Sequence, residues 1–109
     1  MDSKVDGEKI VFDVPTILGA SKSISYKNQI EAQFTALFRF YTSKQLINID
    51  CFDNNGKLKK DLIIKAKDLT PAGINLASKA VPSWFRARDK DNNYSNLSIL
   101  EKSLQEQKN

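Results

Sequence analysis

The sequence predicts an α+β domain, mainly α, in which a long amphipathic helix is followed by a two-stranded β-hairpin and then by a second, well-capped helix. Three stretches predict it. In "SYKNQIEAQFTALFRFYTSKQL", Ile30, Phe34, Leu37, Phe38 and Tyr41 recur at i, i+4, i+7, i+8 and i+11, one apolar face of a helix. In "LINIDCFDNNGKLKKDLIIKAK", two alternating runs flank "DNNG", whose residues tolerate the left-handed backbone of a hairpin tip. In "DLTPAGINLASKAVPSWF", Thr70 can cap a helix that Pro71 starts without needing a donor, while Leu69 and Ile74 form a hydrophobic staple.

With 109 residues the chain is expected to be a single domain spanning 1–109. No apolar run approaches the roughly 20 residues that cross a bilayer, and "MDSKVDGEKI" lacks an apolar signal core, so a cytoplasmic protein is expected. The single cysteine, Cys51, has no internal disulfide partner. The absence of histidine removes the usual zinc sets and the commonest general base. The carboxylates are scattered, Asp50, Asp53 and Asp61 being the only local group, and no Gly-rich phosphate loop is present. The expectation is a protein that is not an enzyme and carries no cofactor or metal.

Element by element, residues 1–9 read as a flexible lead-in. "KIVFDV" reads as a short strand with Ile10, Phe12 and Val14 on one side, and "PTILGA" as a short helix opened by Pro15 and ended by Gly19. The long helix covers about residues 25–44 with Ser25 as its N-cap. At about 100° per residue, Asn28, Ala32, Thr35, Arg39 and Thr42 fall opposite the apolar face. In the hairpin, Ile47, Ile49 and Cys51 form one inward set and Leu62, Ile64 and Ala66 the other, with the tip at 53–57. Cys51 reads as a small buried apolar residue, since no histidine can activate it. Pro82 removes an internal hydrogen bond, so the helix after Thr70 should bend or restart there. Trp84 and Phe85 fit either a core covering the aromatic helix or an exposed patch for a partner. Arg86 and Arg88 fit phosphate contacts or a solvated helix end. In the tail, residues 89–109, Ser95 is the expected cap of a short helix whose Leu97, Leu100 and Leu104 would serve docking or homodimer contacts.

Seventeen basic and thirteen acidic residues give a net charge of +4, and the excess lies mid-chain. Residues 45–67 carry five basic and three acidic groups, among them Lys57, Lys59, Lys60, Lys65 and Lys67 at the tip and along the second arm. The order of helix, basic-tipped hairpin and a helix opening "LTPAG" resembles the winged helix-turn-helix domains of the MarR type over roughly residues 25–85, within an expected winged-helix core of 25–88. The matching residues are Leu46 and Ile47 leaving the long helix, "DNNGKLKKD" as the wing, and Leu69, Thr70, Gly73 and Leu76 in an "LT..G..L" turn. The resemblance implies a partner in double-stranded DNA and a role in transcription regulation. It places Asn28 and Thr35 at base edges in the major groove, Arg39 at a guanine or a phosphate, and Lys27, Lys57, Lys59 and Lys60 along the phosphate backbone. Because fold does not settle function, the same scaffold also suits a non-enzymatic protein-binding module, such as a toxin immunity protein or an anti-defence inhibitor.

Overall fold

The computed structural model describes residues 8–20 and 23–108 and is mainly helical, with one small antiparallel sheet. Strand β1 (Ile10–Asp13) runs directly into helix α1 (Val14–Ala20), and α2 (Ile24–Ser43) follows. The hairpin segment ends in strand β2 (Ile63–Lys65) and a 3-10 turn (Ala66–Asp68). Helices α3 (Pro71–Lys79), α4 (Val81–Asp91) and α5 (Ser98–Lys108) complete the chain.

Helix α2 is the centre of the fold. Its cap is Ser23 rather than the expected Ser25: the Ser23 Oγ accepts from the Tyr26 N–H at 3.2 Å, two residues earlier than the apolar period alone suggests. Ile30, Phe34, Leu37, Phe38 and Tyr41 are all buried, as the spacing predicts, and Gln33 and Phe40 widen the buried arc. Phe12 from β1 sits edge-on to three of these rings, with centroids 6.4 Å from Phe34, 5.3 Å from Phe38 and 6.1 Å from Tyr41. Phe34 and Phe38 stack at 5.4 Å, and Phe85 of α4 meets Phe34 edge-on at 5.5 Å. Edge-to-face pairs of this kind each contribute about 0.5–1.5 kcal/mol beyond the area they bury.

The end of α2 is closed without glycine. The Leu46 N–H donates to the Tyr41 carbonyl at 2.9 Å and the Gln45 N–H to the Thr42 carbonyl at 3.2 Å, the paired bonds of a Schellman motif. Gln45 occupies the left-handed position with φ 58°. The chain then turns into the hairpin and returns to α3, where the expected cap is present: the Gly73 N–H donates to Thr70 Oγ1 at 3.1 Å, with Pro71 in the first turn.

The hairpin tip lies at 53–57 as expected, but its arms do not form the expected pair of regular strands. The arms are joined by two isolated bridges, Phe52↔Leu58 beside the tip and Ile47↔Leu69 at the base, and β2 pairs instead with β1, in the register Ile10↔Lys65, Phe12↔Ile64 and Asp13↔Ile63. Local bonds divert both arms. The Phe52 N–H donates to Asp50 Oδ1 at 3.1 Å, and the Leu62 N–H donates to the Lys59 carbonyl at 3.3 Å, a turn that swings β2 away from the first arm. A bulge between Ile10 and Phe12 leaves Ile10 exposed, so only Phe12 and Val14 of its expected face reach the core.

Of the expected loose lead-in, residues 1–7 lie outside the described residues. The Ala66 N–H donates to the Lys9 carbonyl at 2.8 Å, and the Glu8 carboxylate accepts from Lys65 Nζ at 2.8 Å and Lys67 Nζ at 2.7 Å. The helix restarts at Pro82 as expected, with Ala80 as the joint between α3 and α4. Trp84 is fully buried, and its Nε1 donates to the Asn96 carbonyl at 2.8 Å. Arg88, only 4% exposed, donates from Nη1 to the same carbonyl at 2.6 Å and forks onto Asp91 at 3.2 and 3.0 Å. These bonds set the α4–α5 loop. Ahead of α5 it is Asn96, not the expected Ser95, whose side chain meets the helix start: its Oδ1 accepts from the Ser98 N–H and Oγ. Leu100 and Leu104 of the tail stripe are buried, Leu97 is half-buried, and α5 packs on α3 and α4.

Candidate nucleic-acid interface

The face of α2 turned away from the core is built from its own sequence spacing. Asn28, Ala32, Thr35 and Arg39 form the floor of an open trough of about 540 Å³. Tyr94 and Ser95, from the loop pinned by Trp84 and Arg88, line it as well. Glu31 and Ala36 complete its lining. Toward the start of α2 a second hollow, about 400 Å³, is lined by Ile24, Lys27, Asn28, Glu31 and Lys60 together with residues of α1. Asn28 belongs to both hollows, so the first half of α2 and the basic hairpin border one continuous surface.

Arg39 joins the two. Its Nη2 donates to the Gly56 carbonyl at 2.9 Å, and its guanidinium carbon lies 4.6 Å from the centre of the Phe52 ring. An exposed cation–π contact of this kind is worth about 0.5–1 kcal/mol. The tip itself is closed by the Asp53 N–H donating to the Lys57 carbonyl at 2.8 Å and the Gly56 N–H to the Asp53 carbonyl at 2.9 Å, with Gly56 at φ 76°. Asp53 Oδ1 accepts from the Lys57 and Asn55 N–H groups, and these bonds hold its carboxyl below the usual range. The tip is thus a preformed turn that an arginine clamps against the helix.

The residues that spacing and charge single out fall into two groups. Lys27, Asn28, Lys57 and Lys60 are exposed, and Lys59 is half-buried with its backbone N–H on the Cys51 carbonyl. Lys60 stands 3.8 Å from the half-buried Glu31, and its own exposed ammonium leaves the pair open to screening by water. Thr35 and Arg39 are already engaged: Thr35 Oγ1 donates to the Glu31 carbonyl at 2.8 Å, and Arg39 holds the tip. Sequence spacing reports which way these two side chains point, not what they meet. Phe52, Tyr94 and Ser95 were not legible as parts of this surface, because each reaches α2 from a distant segment and nothing local marks it. Ile24 also belongs to it, and the helical period carries the signal: it lies on the outward side of α2, one turn before Asn28.

Among the described residues no cluster of histidine, cysteine or carboxylate side chains could hold a metal ion. The Cys51 thiol is buried and pushed up to about 11, chiefly by burial and then by the charge of Asp50. No helix among the described residues is long and apolar enough to cross a membrane. Compared with known protein families, with characterised proteins and with solved structures, the chain matches none.

Proposed function

We propose that the chain is a small winged-helix DNA-binding protein acting in transcription regulation. The observation that carries this reading is the clamp of Arg39 on Gly56 and Phe52, which presents the lysine-bearing hairpin and the outer face of α2 as one surface. Two further features support it. Helices α1 and α2 follow each other across a connection of three residues, the spacing of a helix-turn-helix in which the second helix enters the major groove. The first turns of α2, from Ile24 to Asn28, are exposed and carry no acidic residue.

In this arrangement Lys57, Lys59 and Lys60 neutralise phosphates beside the groove, Lys27 adds a contact at the start of the helix, and Asn28 is the side chain best placed to read a base edge. Arg39 positions the wing instead of reading DNA. Four phosphate contacts correspond to a slope of log affinity against log salt of about −3.6. Titration of a labelled generic duplex from about 50 to 200 mM salt tests the reading: binding that weakens with that steepness supports it, and no measurable binding at about 50 mM overturns it.

A separate observation favours a protein-binding module as the second reading. On another side of α2, Ile17 (40% exposed), Tyr26 (47% exposed), Phe34, Phe85 and Asp89 are among the residues that line a hollow of about 230 Å³. Affinity insensitive to salt, for a protein ligand and not for a duplex, would move the assignment to that side.

A further inference from the structure

Ile24 is the most exposed large apolar side chain described, with 77% of its surface in water. It is the first residue of α2, and nothing in the fold uses it: the helix is capped by Ser23 and the core stripe begins at Ile30. Its position is specific nonetheless. Ile24, Asn28, Glu31 and Thr35 succeed one another at i, i+4, i+7 and i+11, one outward stripe of the helix, and Ile24 shares a hollow with Lys27, Asn28 and Lys60. A bare branched aliphatic group that shares a hollow with two lysines, one of them 3.8 Å from Glu31, and stands one helical turn from an asparagine suits a target that is charged at its margins and apolar at one point.

In the major groove a single group meets that description, the C5-methyl of thymine. Building on the DNA-binding reading, we propose that Ile24 is a base-reading residue that packs on a thymine methyl, with Asn28 reading an adjacent base edge. The recognition element is then the first two turns of α2. The later turns are excluded from this role because Thr35 is bonded within the helix and Arg39 is bound to the wing. Removing the methyl from water is worth about threefold to fourfold in affinity for each such group, the ordinary value for one buried methylene-sized unit.

The test removes the methyl from the DNA and the side chain from the protein in turn. The probes are alternating dA·dT and dA·dU duplexes, which differ only by the thymine methyl, and the proteins are wild type, Ile24→Ala and Lys57→Ala/Lys59→Ala/Lys60→Ala. Wild type should bind the dA·dT duplex about threefold or more tightly than the dA·dU duplex. Ile24→Ala should bind both alike, and the triple lysine variant should bind both more weakly while keeping the wild-type ratio. Equal binding of wild type to the two duplexes, or a preference that survives in Ile24→Ala, would overturn the proposal while leaving the DNA-binding reading in place. Binding to neither duplex would remove both. Because Ile24 is exposed, the alanine variant should melt with wild type, and a circular dichroism melt confirms that the comparison is between folded proteins.

Discussion

The joint between α2 and α3 and the tip of the hairpin lie on one continuous segment, yet they are held in opposite ways. At the joint, the Thr70 N–H donates to the Leu46 carbonyl at 2.9 Å, Thr70 Oγ1 caps Gly73, and the Tyr41 hydroxyl donates to the Gly73 carbonyl at 2.8 Å. Leu46, Leu69, Leu76 and Tyr41 around it are buried. Burial raises the Tyr41 hydroxyl well above the usual tyrosine range, so it stays protonated and remains a donor. At the tip, by contrast, residues 53–57 are all exposed, and apart from their own turn bonds they depend on Arg39. The joint fixes the direction in which the hairpin leaves the core, and the tip is left free to carry charge. The "LT..G" stretch therefore anchors the base of the hairpin, and its physical requirement lies in the interior.

Substitutions that break this contrast are ordered by size. Phe38→Ala, which empties a fully buried ring site between Phe12 and Phe34, should cost about 3–5 kcal/mol in a denaturant titration, and Phe34→Ala about the same. Gly73→Ala should cost about 1–3 kcal/mol or more, because an added Cβ would lie 2.6 Å from the Leu46 carbonyl oxygen, a backbone atom that cannot step aside. Arg39→Ala should change global stability by about 1 kcal/mol or less. Its signature is local: amide exchange at 53–57 should accelerate while exchange at Leu46 and Thr70 is unchanged. Gln45→Gly should stabilise the fold by about 0.5–1 kcal/mol by relieving the left-handed backbone at the end of α2.

The smallest effect concerns pH. Glu8 is lowered to about 2, first by its hydrogen bonds from Lys65 and Lys67 and then by their charge. A carboxyl lowered in the folded state stabilises it fully above the ordinary carboxylate range, and that contribution fades as pH falls through the folded value. The stabilisation that these ion pairs give β2 should thus be whole above the ordinary value of 4.5 and be lost as pH falls from there through about 2, read as a falling protection factor at the Ala66 amide. Glu8→Gln should show the faster exchange at neutral pH.

How much of this was legible in the sequence depends on the range of the interaction. The 3.6-residue period of Ile30 to Tyr41, the Thr70–Pro71 cap, the turn at "DNNG", the restart at Pro82 and the stripe of Leu97, Leu100 and Leu104 are local signals, and each is present in the fold. The pairing of β1 with β2 was hidden, because alternation in Ile47–Cys51 shows that the segment is extended but not which strand completes it. The cap of α2 was displaced by two residues, since Ser23 and Ser25 are chemically equivalent and the apolar period does not choose between them. Of the candidate surface, the lysines and Asn28 were legible as an outward face. The clamp of Arg39 on Phe52 and the wall formed by Tyr94 are tertiary interactions with no trace in spacing.

The central claim is that the wing contributes charge to a duplex interface while the joint contributes only structure. The most direct measurement is the salt dependence of duplex binding by wild type and by Lys57→Ala/Lys59→Ala/Lys60→Ala, followed by fluorescence anisotropy. The expected result is a slope of log affinity against log salt that flattens by about 0.9 for each phosphate no longer neutralised, up to about 2.7, with the melting temperature unchanged. A variant that binds with the wild-type slope would contradict the claim.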